Sequence, residues 1–259
     1  MRFFRDLKKY KNYVIYSARA SLKSEISGSY LSWIWWILNP LCFMLIYSYV
    51  FGVLFRAREP SFGLFIFIGL TIWNFFSHNI TRSVKVVRSN KAIIAKIYMP
   101  KYVLLLHDMA VEGFKMLISF GIVFVMMVIY RVPFTLKMLY VIPILITLMV
   151  VTYACGVFCL HLGVFIRDLP NAIPIILRLL MYLTGIFYDV QKRVPEPLNI
   201  WVMRINPLAM LIDALRNAFL NGEITHTFLL PVWFLLGVGF SVLGTYIIYK
   251  NENNYVKVI

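Results

Sequence analysis

Long apolar stretches, separated by short polar segments, are the feature that most limits what this chain can fold into. The hydrocarbon core of a bilayer is about 30 Å thick, and a helix needs roughly 20 apolar residues to cross it. Six such stretches predict an all-α polytopic membrane protein with six transmembrane helices in a single transmembrane domain, residues 1–259. The predicted spans are residues 31–55, 62–80, 102–130, 138–165, 171–188 and 228–249.

The composition excludes an ordinary soluble domain. Hydrophobic residues make up 61% of the chain and charged residues only 14%, which is far more apolar than a soluble protein of this size. A net charge of +15 in a soluble protein would favour nucleic acid as a partner. Here the basic residues are divided among the gaps between apolar stretches. We therefore expect membrane lipids as partners and no nucleic acid.

The distribution of the basic residues predicts the orientation in the membrane. Residues 1–30 contain seven Lys or Arg, and residues 81–101 contain six with no acidic residue. Cytoplasmic segments of membrane proteins are enriched in Lys and Arg. We therefore expect a multi-pass protein of the plasma (inner) membrane with both termini in the cytoplasm.

Residues 3–26 predict an amphipathic helix that lies on the membrane, within a cytoplasmic interface segment of residues 1–30. Basic residues occupy most of the helix surface, and such helices bind anionic membrane interfaces. The helix is either a simple anchor or a docking surface for a cytoplasmic partner, and the two roles are compatible. Its apolar face repeats every three or four residues and consists of Leu7, Tyr10, Val14, Ala18, Leu22 and Ile26.

Ionisable residues occur inside two of the predicted spans. Asp108, Glu112 and Lys115 share one face near the start of the third span, beside His107, so they form either ion pairs or a proton relay. Arg178 is an isolated charge in the fifth span. Because a charge facing lipid costs about 3 kcal/mol or more, Arg178 should face the bundle interior, a water-filled path or an acidic partner.

Residues 189–227 predict a re-entrant pair of short helices between the fifth and sixth spans. Asp213 and Arg216 lie on a different face from the apolar residues, and Asn221-Gly222 ends the segment. An apolar run of this length is typical of a re-entrant element, which we expect to cap a conduit from outside. The apolar face, too short to span, consists of Leu208, Leu211, Ile212, Leu215 and Phe219.

Catalytic motifs are absent from the sequence. It contains no GxxxxGK[ST] phosphate loop, no HExxH and no GxSxG. The three cysteines lie inside apolar stretches without metal-ligand spacing. We therefore predict no catalytic residue, no metal site and no cofactor in this chain.

The order of several short motifs resembles the membrane subunit of type II ABC exporters of lipid-linked polysaccharide, such as O-antigen, capsule and teichoic acid permeases. Each motif is weak alone, but together they extend over nearly the whole chain. The motifs are residues 28–36 followed by Asn39-Pro40, the step Met99-Pro100-Lys101, residues 165–169, Ile186-Phe187-Tyr188 before Val194-Pro195, and Asn206-Pro207-Leu208 with Arg216 downstream.

The resemblance implies a homodimer bound to two copies of a cytoplasmic ABC ATPase, which would bind ATP and Mg²⁺. The amphipathic helix and the 81–101 segment would face the ATPase, and the re-entrant segment would form the external gate. The implied ATPase-coupling surface is Arg82, Lys85, Arg88, Lys91, Lys96, Arg167 and Asp168. The implied external gate is Asn206, Pro207, Asp213 and Arg216.

Aromatic residues recur every three or four positions along the first span. Aromatic rings can stack on the C–H faces of sugars, which suits a moving glycan, although bundle packing or an interfacial aromatic belt would give the same pattern. The predicted substrate conduit is Trp33, Trp36, Phe43, Tyr47, Phe51, Arg178 and Tyr188.

Two other functions fit parts of the sequence. One is a type II ABC exporter of a small lipid or drug, which usually has a larger external domain than residues 189–227. Another is a membrane-embedded glycosyl- or acyltransferase using His107, Asp108 and Glu112 as acid and base. A secondary transporter would be expected to show internal repeats, and we find none.

Overall fold

The computed structural model describes residues 2–27, 32–54, 61–96, 99–252 and 254–255, and every regular element in these ranges is helical. The all-α prediction is therefore confirmed. Residues 28–31 of the first motif, the predicted turn 56–60 and the end of the tail, 256–259, lie outside the described residues. The helices are α1 Arg2–Ser27, α2 Trp35–Tyr47, α3 Phe62–Ser89, α4 Lys91–Lys96, α5 Lys101–Ile129, α6 Val141–Phe165, α7 Leu169–Leu183, α8 Val190–Arg193, α9 Leu198–Ile205, α10 Pro207–Arg216 and α11 Leu229–Lys250.

Short 3₁₀ and π segments extend several of these helices. A π-helix, Ser48–Leu54, continues α2, and a second, Asn217–Asn221, continues α10. 3₁₀ turns precede α2 (Ser32–Ile34) and α6 (Leu136–Tyr140). With these extensions, five helical segments in the described residues are long and apolar enough to cross a bilayer, against the six predicted; a sixth is present if α9 and α10 with its π extension form one bent span. The five are Trp35–Val53, Phe62–Ser89, Lys101–Ile129, Leu136–Phe165 and Leu229–Lys250.

The predicted fifth span is shorter than the sequence indicated. Helix α7 has 15 residues and ends at Leu183, whereas the prediction ran to residue 188. The chain turns at Gly185, whose φ of 72° is left-handed and is accessible to glycine at little cost. At 1.5 Å per residue α7 is about 22 Å long, which is less than the hydrocarbon thickness.

Helix α3 forms the centre of the bundle. In its most apolar window 83% of the residues are buried, against 6% for α2, and α3 packs against α2, α5, α6, α7 and α10. A helix that is apolar on all sides is expected to be buried. The predicted span ended at residue 80, and the helix extends beyond it. The helix continues to Ser89 because Val84, Val86 and Val87 are buried against neighbouring helices.

Helices α3 and α6 approach each other closely at one glycine. A Cβ on Gly163 would overlap the backbone carbonyl of Val84. Small residues at such contacts let two helix backbones come together in membrane bundles. The α3–α6 contact therefore depends on the absence of a side chain at Gly163.

Helix α1 and the C-terminal residues pack at the end of the bundle where α5 begins. The Tyr249 hydroxyl at the end of α11 donates to Asp6 of α1 at 2.8 Å. Lys101 at the start of α5 pairs with Glu252 at 3.6 Å, and the Tyr255 hydroxyl lies 2.7 Å from His161 Nδ1. Burial and the nearby Glu252 raise the pKa of Tyr255 above its usual range. The chain ends thus meet on one side of the bundle.

Three short helices, α8, α9 and α10, lie between α7 and α11, where the sequence predicted a pair within residues 189–227. The axis of α9 and that of α10 with its π extension, Pro207–Asn221, differ by 99°. Asn206 forms the break: its side-chain oxygen accepts from the backbone N–H groups of Leu208 and Ala209, and Pro207 follows at the first helical position. Gly222, with a φ of 61°, ends the π extension of α10, as predicted.

Candidate functional site

A row of aromatic rings connects α2 to the turn after α7. We call Phe43, Tyr47, Phe51, Phe187 and Tyr182 the aromatic ladder. Along α2, the ring centroids of Phe43 and Tyr47 are 6.0 Å apart and those of Tyr47 and Phe51 are 6.5 Å apart. Phe187 closes the ladder at 4.6 Å from both Tyr47 and Phe51, and Tyr182 lies 5.6 Å from Phe187. Three predicted conduit residues are thus joined by two that the prediction omitted.

Two more predicted conduit residues, Arg178 and Tyr188, lie near the ladder. Arg178 is exposed on α7 and within electrostatic range of Tyr47. Arg178 does not face the interior of this chain's own bundle, the first of the three predicted alternatives, because α7 lies at the periphery and packs mainly on α3. The Tyr188 hydroxyl donates to the backbone carbonyl of Tyr182 at 3.0 Å, which holds Tyr188 beside the ladder.

The two tryptophans do not join the ladder. The Trp36 ring packs edge-on against Phe114 of α5 at 6.3 Å, and the Lys115 ammonium lies 5.7 Å from the Trp36 centroid. Trp33 is 49% exposed. Trp36 therefore faces α5, on a different side of α2 from Phe43, Tyr47 and Phe51.

The outer faces of α2 and α7 are exposed. Large apolar side chains on both helices lie at the surface of the single chain. The charge of Arg178 lies on the same surface, where contact with lipid would be costly. The exposed residues of α2 include Phe43, Leu45 and Ile46, and those of α7 include Ile175, Leu179, Tyr182 and Leu183.

Arg216 of α10 is a buried connector between three elements. Its Nε donates to the Phe65 carbonyl at 3.1 Å, and its two terminal nitrogens donate to the carbonyls of Gly185 and Ile186 at 2.8 and 2.6 Å. The guanidinium also lies 3.4 Å from the Phe65 ring centroid. Arg216 is only 6% exposed. It fastens the short helices to α3 and to the turn after α7.

The other predicted gate residues form a second polar cluster. Asp213 accepts from the Gln191 amide at 2.9 Å and from Asn217 at 3.1 Å, and its carboxylate lies 2.7 Å from His226 Nε2. These contacts link α8, α10 and the segment before α11. The amide of Asn206 also donates to the Thr184 hydroxyl at 3.3 Å, next to the turn that Arg216 holds.

The charged residues of α5 form ion pairs, as one of the two interpretations predicted. Glu112, whose side chain is 4% exposed, lies 3.0 Å from Arg82 and 3.0 Å from His78, both on α3, and 3.3 Å from Lys115. Lys115 also pairs with Glu25 of α1 at 2.8 Å. A single buried carboxylate therefore connects α3 and α5, and α1 joins through Lys115.

Two further groups attach to this ion-pair network. Asp108 lies 3.8 Å from Arg82 and 3.3 Å from His107 Nδ1. The other ring nitrogen of His107 lies 3.1 Å from the Ser21 hydroxyl of α1. Helix α1 is thus held on α5 by polar contacts at both Ser21 and Glu25.

The residues of the predicted ATPase-coupling surface fall into two groups. Lys85, Lys91, Lys96, Arg167 and Asp168 are exposed. Arg82 and Arg88 are partly buried and have structural contacts: Arg82 joins the ion-pair network, and Arg88 donates to the Val164 carbonyl at 3.0 Å. The exposed residues lie at the ends of α3 and α6 and on α4, at one end of the bundle.

The comparison with known proteins decides the family. A family model described as ABC-2 type transporter matches residues 14–220. The chain belongs to this family. Two proteins named "O-antigen export system permease protein RfbA" are similar to this permease over most of its length. The one from Klebsiella pneumoniae is 28% identical over 239 residues, covering 92% of this chain and 91% of the relative. The one from Myxococcus xanthus is 26% identical over 219 residues, covering 85% and 84%.

Metal chemistry has no obvious location in the described part of this ABC-2 permease. Within it, no group of three or more His, Cys, Asp or Glu side chains could hold a metal ion, and the three cysteines are free thiols. The acid and base groups considered for a transferase, His107, Asp108 and Glu112, are engaged in polar contacts with one another or with Arg82.

Several residues important for the geometry of the permease were not predicted from the sequence. Phe187 and Tyr182 complete the aromatic ladder, His226 pairs with Asp213, and Glu25 and His78 complete the ion-pair network. Phe187 had a local signal, since it follows the turn motif at Gly185. The partners of Asp213 and Glu112 are distant in sequence or on other helices, so no spacing rule identifies them.

Proposed function

We propose that this ABC-2 permease is the transmembrane subunit of an ATP-driven exporter of a lipid-linked polysaccharide, such as an O-antigen, capsule or teichoic-acid-like polymer. Relatives named as O-antigen export permeases match nearly the full chain. The structural observation that carries the proposal is the aromatic ladder, at whose ends Phe43 and Tyr182 are exposed, whereas Phe187 is buried. Exposed rings offer apolar surface with few directional bonds, along which a glycan can slide.

The permease acts as a homodimer in this proposal. The outer faces of α2 and α7 expose large apolar side chains together with the charge of Arg178. A second copy packed face to face would bury these apolar residues by an isologous contact. It would also place two aromatic ladders opposite each other, with Arg178 directed at the space between them. An arginine in such a space can attract the anionic link between lipid and glycan.

The energy source in this proposal is a separate ABC ATPase, two copies per dimer. The exposed basic residues Lys85, Lys91, Lys96 and Arg167 provide a cationic docking surface at the end of the bundle that also contains α1 and the C-terminal residues. The positive-inside rule places this end and both termini in the cytoplasm. Arg216 and the Asp213 cluster lie at the other end, where the proposed external gate closes the conduit.

Purification with partners and reconstitution tests this function. We expect the tagged permease, extracted gently from its native membrane, to carry a near-stoichiometric ABC ATPase. In proteoliposomes of that complex, a lipid-linked glycan from the same cells should stimulate ATP hydrolysis and move to the opposite leaflet. Stimulation by small lipids or drugs but not by lipid-linked glycan would favour a small-molecule exporter. Absence of any co-purifying ATPase would contradict ATP-driven export altogether.

A further inference from the structure

A large apolar groove opens between α1 and the bundle, away from the aromatic ladder. It has a volume of about 1420 Å³, above the roughly 300–1,000 Å³ typical of pockets for drug-sized ligands. Residues of α5, α6 and α11 form its walls, and α1 covers one end. The α1 groove and the aromatic ladder have no residue in common, so an occupant of the groove is separate from cargo on the ladder.

We propose that the α1 groove is a binding site for an anionic glycerophospholipid of the leaflet on the α1 side. Its acyl chains lie along α5 and α11, and its headgroup lies at Lys8 and Lys11. The site requires only the membrane-embedded bundle and is independent of the cargo that the permease exports.

The length of the groove matches one leaflet. Its lining extends along α5 from Val103 to Leu117 and along α11 from Tyr249 to Val238. At 1.5 Å per residue these distances are about 21 Å and about 17 Å. Half of a bilayer, headgroups included, is about 20–22 Å thick. A lipid with its headgroup at α1 therefore has its chain ends near the middle of the membrane.

The walls of the groove favour hydrocarbon over sugar. Three hydroxyls in the lining, those of Ser241, Thr245 and Tyr153, already have hydrogen-bond partners. Ser241 donates to the Gly237 carbonyl at 2.7 Å, Thr245 donates to the Ser241 carbonyl at 2.7 Å, and the Tyr153 hydroxyl lies 2.9 Å from Thr245 Oγ1. When acyl chains fill the groove, these hydroxyls keep their present hydrogen bonds. A glycan in the groove would lose its hydrogen bonds to water.

The charge at the α1 end favours an anionic headgroup. Lys8 and Lys11 line the groove and are exposed. The nearest acidic residue of α1, Asp6, accepts a hydrogen bond from Tyr249, which also joins α1 to α11 at this end. Basic residues next to an apolar surface are a common recognition element for anionic lipids.

Competitive lipid binding to the full-length permease tests the site. The purified protein, with any co-purifying partner retained, is incubated in detergent with phosphatidylglycerol and phosphatidylcholine, and bound lipid is counted by native mass spectrometry. We expect phosphatidylglycerol to be retained in preference to phosphatidylcholine. The double variant Lys8→Gln, Lys11→Gln should weaken retention of phosphatidylglycerol by about thirtyfold and change phosphatidylcholine little.

Matched variants separate this site from general attraction to a basic helix. Arg19→Gln with Lys23→Gln removes the same charge from exposed positions of α1 outside the groove lining and should leave lipid retention unchanged. Gly113→Leu fills the groove, because a Cβ there meets only Phe75 at 3.9 Å, and should reduce retention of both lipids. The control is Gly121→Leu on the same helix, where a Cβ has open space; it should leave retention of both lipids unchanged. Ala110→Phe, also in the lining, repeats the filling test if Gly113→Leu fails to fold.

Three results would overturn the proposal. Equal retention of the two lipids would show a groove filled by bulk lipid without selection. Equal losses in the Lys8/Lys11 and Arg19/Lys23 double variants would assign the preference to the whole helix rather than the groove. Undiminished retention of phosphatidylglycerol in both folded groove-filling variants would place the lipid elsewhere on the permease.

Discussion

The Arg216 guanidinium lies 3.4 Å from the centre of the Phe65 ring while its Nε donates to the Phe65 backbone carbonyl at 3.1 Å. One arginine thus contacts both the side chain and the backbone of a residue 151 positions away. Two more bonds to Gly185 and Ile186 extend this contact to the turn beside the aromatic ladder. Because these bonds hold the residues next to Phe187, we expect a displacement of α10 to move the Phe187 ring, which closes the ladder.

Loss of the Arg216 side chain should destabilise the permease strongly. Arg216→Leu removes three hydrogen bonds to backbone carbonyls, and losing a hydrogen bond from a charged donor costs about 1.5–3 kcal/mol. We expect a free-energy loss of at least about 3 kcal/mol, with partial recovery in Arg216→Lys, which keeps the charge but has one donor group. Thermal unfolding in detergent, followed by size-exclusion chromatography, measures the effect. Arg204→Leu, on the exposed surface of α9, serves as the control, and equal stability of the two leucine variants would refute the connector role.

The close approach of α3 and α6 at Gly163 predicts a second position where substitution destabilises the permease. Gly163→Ala places a Cβ onto the Val84 carbonyl, and separating α3 from α6 should cost about 1–3 kcal/mol. Gly239→Ala on α11, where a Cβ has open space, should be neutral or slightly stabilising, since alanine is the better helix former. The two variants are compared by melting temperature under the same conditions. A wild-type melting temperature for Gly163→Ala would contradict the packing described for α3 and α6.

The ion-pair network predicts coupling between Glu112 and Arg82. Glu112→Gln removes the carboxylate that Arg82, Lys115 and His78 share, and we expect a loss of about 2 kcal/mol in the free energy of unfolding, since the carboxylate is buried but Arg82 is partly exposed. In a double-mutant cycle, Arg82→Gln should show an interaction energy of about 1 kcal/mol with Glu112→Gln. The exposed Lys85→Gln should show none. Additive effects of Glu112→Gln and Arg82→Gln would mean that this pair contributes nothing to stability.

The aromatic ladder predicts export defects without unfolding. Tyr47→Ala and Phe51→Ala each remove ring contacts at 4.6 Å to Phe187, and a lost aromatic contact on the path should slow polymer export by about threefold to tenfold. Export by proteoliposomes or cells is measured at equal amounts of folded permease. Tyr49→Ala, at a 61% exposed position of the same segment, is the matched control. Normal export rates in both ladder variants would remove the conduit role.

The exposed basic residues of α4 predict where the ATPase binds. Reversal of both charges, Lys91→Glu with Lys96→Glu, should reduce co-purification of the ATPase by at least about tenfold, because like charges would meet at the interface. Lys137→Glu with Arg193→Glu changes two exposed residues at the opposite end and should leave the complex intact. If the Lys137/Arg193 variant lost the ATPase and the Lys91/Lys96 variant kept it, the ATPase would bind the other end of the bundle, and the proposed orientation in the membrane would be reversed.

The sequence predicted part of the candidate site, and there is a physical reason why it did not predict the rest. Phe43, Tyr47 and Phe51 were predicted because a helix repeats every 3.6 residues and sets neighbours on one face. Trp36 follows the same spacing, yet it packs on Phe114 of α5, because small differences in angle around the helix decide which neighbour a side chain meets. The length of α3 was underestimated because hydropathy falls at Thr81 and Arg82, although the helix and its burial continue through Val87.

Long apolar segments predict that this chain crosses a membrane several times as helices, because backbone polar groups in hydrocarbon must be satisfied within each segment. The amphipathic α1 and the end at Gly222 were predictable as well, since both depend on neighbouring residues. The pairing of Glu112 with Arg82 and His78, and the contact of Arg216 with Phe65, are seen only in the folded molecule. Those contacts depend on how helices pack against each other, which no local pattern encodes.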